Sequence, residues 1–185
     1  MRALLPLIVF TVACAASDKA ADDASSGDSG MLARERCLDE PMALTMGTGE
    51  HQFKPLVPGG RIEVIHGTQD GHHILGSVRI QNITDVAMIR YTITTSATGK
   101  QISDQIYRIR LTEYEEGGDC AWQALGLYAY LGRIDPDTAT FLMEQNVMEM
   151  TVTNTAGEFA STSIEIYPFV ESVDHGSDTA DPRGE

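Results

Sequence analysis

Three of the chain's five histidines fall in one segment, Arg61-Ile62-Glu63-Val64-Ile65-His66-Gly67-Thr68-Gln69-Asp70-Gly71-His72-His73-Ile74. Imidazoles can ligate a metal, exchange hydrogen bonds or titrate near neutral pH. Two β-rich runs flank a loop with glycine at each end, Gly67 and Gly71, which reads as a hairpin. Ile62 and Val64 supply the apolar parity of the first strand, and Ile74, Val78 and Ile80 that of the second. A buried face requires both sets on one side, so Val64 pairs with Ile74. That register places His66 opposite His72 on the core side, at the end of the sheet. A bulge in the loop would exchange His73 for His72. Side chains opposed across a strand pair stand with Cβ atoms about 5 Å apart, close enough to share a metal. His66, His72 and His73 are therefore the candidate metal ligands. A protein zinc site normally has at least three protein ligands, and His51, Glu63, Gln69 and Asp70 are the candidates for completing the set. The competing reading is that His66, Gln69 and one of His72 or His73 hold the loop by hydrogen bonds.

A second group is aromatic. Trp122, Tyr128 and Tyr130 share one parity along a β-rich run and could line a ligand surface, or pack across strands. Glu113, Glu115, Glu116 and Asp119 fall in one turn and read as a solvated loop. The chain has no G-x-S-x-G, H-E-x-x-H, S-x-x-K or Gly-rich phosphate loop, so no enzyme activity and no cofactor are expected.

The elements that position these residues are strands. The segments His51–Leu56, Arg61–His66, His72–Asn82, Ala87–Ser96, Gln101–Glu113, Asp119–Leu131, Asn146–Asn154 and Glu158–Pro168 are rich in β-branched and aromatic residues, with Gly, Pro, Asn or Asp at their bounds. Several alternate strictly: Tyr107, Ile109 and Leu111 against Arg108 and Arg110; Met148, Met150 and Val152 against Glu149, Thr151 and Thr153. A period of two with one polar face predicts antiparallel sheet. Turns are expected at Pro58-Gly59-Gly60, Thr98-Gly99-Lys100 and Asn154-Thr155-Ala156-Gly157. One short helix is expected over 135–143, capped by Asp135 with Pro136 in its first turn. The fold class predicted is all-β, an immunoglobulin-like antiparallel β-sandwich of seven to eight strands, with a small closed β-barrel as the alternative.

The stretch Gly47-Thr48-Gly49-Glu50-His51-Gln52-Phe53-Lys54-Pro55-Leu56, followed by Gly59-Gly60 and then His66-Gly67-Thr68-Gln69-Asp70-Gly71-His72-His73, resembles a family of uncharacterised bacterial lipoproteins. That family carries G-x-G-x-x-x-F-x-P-L and then a hairpin of the form H-G-x-Q-G-G-x-H. The likeness covers roughly the first third of the folded region. It places the motif's histidine at His73, whereas the register argument turns His72 inward. Asp70 stands where the family usually has glycine.

The N-terminus agrees with an exported lipoprotein. Arg2 precedes a run of about ten apolar residues that ends in small ones, the pattern of a secretory signal. The run is shorter than the ~20 residues of a membrane-spanning helix. Thr11-Val12-Ala13-Cys14 resembles a lipobox, in which the cysteine receives diacylglycerol and becomes the membrane anchor; the alternative is a plain signal cut near Ala16. Residues 1–13 are read as signal peptide and 14–33 as the lipidated Cys14 with a polar linker. Residues 34–170 are read as the domain and 171–185 as an acidic disordered tail. Ala15, in place of aspartate, favours the outer membrane within the cell envelope. With Cys14 lipidated, Cys37 and Cys120 remain as a pair in an oxidising compartment, and a disulfide is expected, stabilising by about 4–5 kcal/mol on the chain-entropy treatment. Thirteen basic residues against 27 acidic, a net of -14, argue against nucleic acid as a partner and against electrostatic docking on anionic lipid. The partners expected are the membrane, through the lipid, and an envelope protein or glycan.

Overall fold

The computed structural model describes residues 37, 40–67, 71–114, 116, 118, 120–134 and 139–170. The signal segment, Cys14, the linker and the acidic tail lie outside the described residues. The elements are β1 (Ala43–Thr48), β2 (Lys54–Pro55), β3 (Gly60–His66), β4 (His72–Gln81), β5 (Val86–Thr95), β6 (Gln101–Arg110), β7 (Thr112–Glu113), β8 (Ala121–Gly132), β9 (Asn146–Thr153) and β10 (Phe159–Phe169).

Two layers result. Sheet A is built on β4, which pairs with β8 along one edge. Its other edge is shared by β1, against Ser77–Gln81, and β3, against His72–Ile74. Sheet B runs β10-β9-β5-β6, all antiparallel. The two meet through β3, whose first half pairs with β10, Gly60 opposite Ile166, and whose second half pairs with β4. Alternation places Ile74, Val78, Ile80, Leu127 and Ala129 of sheet A against Ile89, Tyr91, Ile93, Met148, Met150 and Val152 of sheet B, and all are buried. The layers leave no room for a side chain at Gly76, where an added Cβ would meet the Tyr91 ring at 2.8 Å and the Met150 methyl closer still. Burial pushes the Tyr91 phenol well above its usual pKa, and its hydroxyl donates to Met148 Sδ at 3.5 Å.

The chain is an all-β, immunoglobulin-like sandwich. It has eight long strands and two of two residues each. One seam is joined by β3. At the other, the Tyr107 phenol on β6 donates to Tyr128 O at 2.5 Å and accepts from Tyr128 N at 3.0 Å. A side chain here occupies the place a neighbouring strand would take, so the sheets are stitched at this seam without a closed ladder.

Four expectations are corrected. The β3–β10 pair is parallel, so the sandwich is mixed; nothing in a strand's own alternation specifies the direction of its partner. Ala43–Thr48 is a strand, and of His51–Leu56 only Lys54–Pro55 is. Gln101–Glu113 breaks at Leu111, whose N–H is drawn away to Asp85 O at 2.7 Å. The predicted helix falls partly on residues 135–138, outside the described residues. Its described part is a turn, with Leu142 N–H on Ala139 O and Met143 at φ 60. Cys37 and Cys120 form the expected disulfide, which fastens the segment before β1 to the start of β8.

Candidate functional site

The register predicted for the hairpin is the one observed: Val64 opposite Ile74 and His66 opposite His72. The two rings stack with centroids 4.7 Å apart and planes 33° from parallel. They lie at the rim, His66 exposed and His72 half-buried, and His72 Nδ1 is buried with no hydrogen-bond partner among the described residues. His73, one residue on, must face the other side of sheet A. The three histidines of the candidate metal set are therefore split between two faces. Among the described residues no group of three His, Cys, Asp or Glu converges as a metal would require; Gln69 and Asp70 lie outside them.

The aromatic group is split too, and here the sequence parity misleads. Trp122 pairs with Ile80 and Ala124 with Val78, both on the core side, but Leu127 then pairs with Gly76. The extra residue is a bulge at Leu125-Gly126, and Gly126 takes φ +63 there, a conformation that L side chains rarely adopt. One inserted residue exchanges the faces of everything beyond it. Trp122 consequently packs on the core, its Nε1 without a hydrogen-bond partner among the described residues. Tyr128 and Tyr130 turn outward, 41% and 53% exposed. The expected Trp122–Tyr128–Tyr130 surface is thus a Tyr128–Tyr130 surface.

What joins the two tyrosines is His73. Its ring meets Tyr128 edge to face at 4.8 Å, and Tyr128 Oη donates to Glu50 Oε1 at 3.3 Å. Tyr130 lies over Gly71, where a Cβ would come within 2.6 Å of the ring. Gly71 is thus the residue that lets this tyrosine close on the hairpin. Desolvation holds the His73 imidazole below its ordinary pKa, with the Glu50 carboxylate pulling the other way and His72 adding to the depression. Desolvation, and then Glu50, raise the Tyr128 phenol.

Glu50 reaches this face because of the Gly-x-Gly stretch. At Gly47 a side chain would strike the Phe53 ring, and at Gly49, φ +105, it would strike the Gln52 carbonyl. The chain therefore folds back over sheet A immediately after β1. Gly49 O accepts from Ser77 Oγ at 2.7 Å and from Gly126 N–H at 3.1 Å, so the fold-back is bonded to the bulge that reversed β8. Phe53 then lies against the Arg79 guanidinium, 4.6 Å away, with Tyr114 on another side at 4.3 Å and Glu116 paired to it at 3.2 Å. Of the acidic turn, Glu115 and Asp119 lie outside the described residues.

Beside Glu50 the edge of β4 is open between β1 and β3. Thr48 Oγ1 donates to the Leu75 carbonyl at 2.8 Å. A cleft of about 340 Å³ enters there, with Glu50, Lys54, Arg61 and Glu63 among its walls and Leu75 and Phe169 within. Sequence reasoning named His73, Tyr128 and Tyr130 but assigned no role to Glu50, Lys54 or Arg61. The signal that could have found Glu50 is its place inside the Gly47–Leu56 motif.

No protein-family model and no curated protein sequence matches the chain. Among solved structures, the CooA pilin subunit from enterotoxigenic Escherichia coli aligns at 12% identity and a TM-score of 0.31, over 69% of this chain and 99% of that one. Murine CRIg aligns at 10% and 0.28, over 70% and 98%, and SefD_dscA at 11% and 0.30, over 69% and 96%. With likenesses this distant, the reading of the site rests on the chain's own geometry.

Proposed function

We propose that the chain is an exported module of the cell envelope, tethered by lipid on Cys14, that binds a glycan or a protein of the envelope on the outer face of sheet A. The observation that carries this reading is the exposure of Tyr128 and Tyr130 on one rigid face, beside a cleft with two acids and two bases on its walls. Tyrosine offers a flat apolar ring and a polar tip at small entropic cost, the combination that interfaces favour. The ring faces suit the apolar side of a pyranose, and Glu50, Lys54 and Arg61 suit its hydroxyls.

Two experiments test the proposal. Cys14→Ser should release the protein from the membrane fraction, and retention of a processed, detergent-dependent species would remove the lipid anchor. Detergent-solubilised full-length chain, applied to a panel of immobilised bacterial glycans, should bind in a manner lost in Tyr130→Ala. An anchor of this kind is typically worth 2 kcal/mol or more, roughly 30-fold in affinity. Equal retention of wild type and Tyr130→Ala would remove the face from the binding reaction.

One observation favours a second reading, a metal held by His66 and His72: the pairing of these rings, with no partner for His72 Nδ1 among the described residues. The rings stack rather than converge, so a shared ion requires one to rotate and a further ligand to arrive from the loop. A bound metal stabilises the folded state by mass action. A melting point raised by zinc or copper and lowered by chelator, in wild type but not in His66→Ala, would support this reading. A melting point unmoved by either would eliminate it.

A further inference from the structure

Sheet B carries three exposed apolar side chains on its outer face, Val86, Met88 and Phe159, at the end of the molecule where the disulfide lies. Arg108, Met88, Thr153 and Phe159 stand in register across β6, β5, β9 and β10, with Val86 opposite Arg110 in the next row. Phe159 is 72% exposed, and Val86 and Met88 nearly 40%. A groove of about 310 Å³ runs along Val86, Met88, Arg108 and Thr153. A second, of about 450 Å³, continues from Phe159 to Pro41, Met42 and Asn82. Asn82 is bonded to Pro41 O through its side chain and to Cys120 O through its N–H. Phe159 is therefore a neighbour of the point where the N-terminal segment is locked down.

Although the chain as a whole is acidic, two arginines stand in this patch. The Arg108 side chain makes no ion pair or hydrogen bond among the described residues, and Arg110 is 80% exposed beside Asp85 at 3.3 Å. The acids nearby are Asp85, so engaged, Glu158, which accepts from Asn154 Nδ2 at 2.8 Å, and the exposed Glu40.

We propose that this end of sheet B is a bilayer-contact surface. The tethered domain rests on its membrane through Phe159, Met88 and Val86, with Arg108 and Arg110 at the headgroups. The inference rests on the lipid-anchor reading of Cys14. Cys37, where the chain enters the domain, lies 23 residues after Cys14, a length of chain that spans at most ~80 Å. The patch beside this entry point is thus confined near a bilayer that holds Cys14. At such confinement a contact too weak to bind a free protein becomes populated, because the anchor supplies the local concentration. Exposed apolar side chains beside arginine match an interface with acyl chains below and phosphates above, the arginine stems lying along the apolar zone. The ligand face follows from this placement. His72 and Gln81 are the two ends of β4, about 30 Å apart at the usual rise per residue, so His73, Tyr128 and Tyr130 are presented away from the membrane.

The test uses lipidated full-length protein in vesicles of phosphatidylcholine and phosphatidylglycerol, with and without brominated acyl chains. Phe159→Trp and Tyr130→Trp each add one fluorophore at an exposed site and keep Trp122 as a common background. Emission of Phe159→Trp should drop in brominated vesicles, and that of Tyr130→Trp should drop no more than wild type. Phe159→Trp combined with Arg108→Glu should lose part of the quenching, as should high salt. Equal quenching at the two positions, or stronger quenching at 130, overturns the proposal. A wild-type chain that fails to float with vesicles instead overturns the anchor itself, a result distinguishable from unquenched protein that floats.

Discussion

Removal of the Cys37–Cys120 bridge should weaken the fold by an amount that can be bounded from both sides. The cysteines are 83 residues apart, and the chain-entropy relation then gives about 4.5 kcal/mol of loop entropy removed from the unfolded chain. That is an upper bound, because the bridge also constrains the folded state. Without it, Cys37 would still be held near Cys120 by β1, which begins at Ala43 and pairs there with Gln81, itself paired with Ala121. The folded molecule thus closes only a short loop, of about six residues, where the unfolded chain closes the long one. Taking the difference at (3/2)RT ln n leaves roughly 2 kcal/mol as the lower bound. The variant Cys37→Ser/Cys120→Ser should therefore lose about 2–4.5 kcal/mol in urea denaturation, against the 5–15 kcal/mol of an ordinary domain. Wild type with reductant should match the double variant. A loss below about 1 kcal/mol would refute the reasoning, since it would mean the unfolded chain gains nothing from an open loop.

Gly76→Ala should cost about 1–3 kcal/mol by overpacking, because the fully buried Tyr91 ring stands where the methyl must go; an unmoved denaturation midpoint would show that the sheets do not touch there. Tyr107→Phe removes both bonds to the Tyr128 backbone, at roughly 0.5–1.5 kcal/mol each, and bares a strand edge. It should also promote self-association measurable by analytical ultracentrifugation. His73 should titrate below the ordinary 6.5 when followed by NMR. Because its folded pKa is depressed, the unfolded chain takes up the proton first as pH falls below 6.5, so folding stability declines with acidification across that window. His73→Gln should make the decline shallower, and a His73 pKa above 6.5 would contradict the desolvation argument.

Much of the sandwich was legible because alternation is a local property. Met148, Met150 and Val152, or Tyr107 and Ile109, declare their inner face without reference to a partner, and the hairpin register followed from matching two such faces. The strand Ala43–Thr48 was not legible, since Gly47 and Gly49 read as loop when Phe53, the ring that Gly47 accommodates, is not known to lie over it. The parallel β3–β10 pair was invisible for a related reason: pairing direction is set by the path of the whole chain. The site failed at one residue. A glycine inside a strand run is itself a bulge signal, and weighing Gly126 that way would have set Trp122 apart from Tyr128 and Tyr130. Glu50 needed the tertiary fold-back onto Ser77 and Gly126, which no spacing along the chain encodes.

The strand shared between the two sheets also sets the order in which the fold can be completed. A chain emerging from its N-terminus during synthesis delivers Gly60–Glu63 early, while their partners at Ile166–Phe169 are among the last strand residues to emerge. Until then β3 can hold β4 only through its second half, and the side of the sandwich destined for β10 stays open. Non-local pairings of this kind are slow to form because their loop entropy is lost before any contact compensates. The nascent domain must therefore persist for a time with apolar strands uncovered, a state in which holding chaperones have a ready target and truncation before β10 would be punished by degradation.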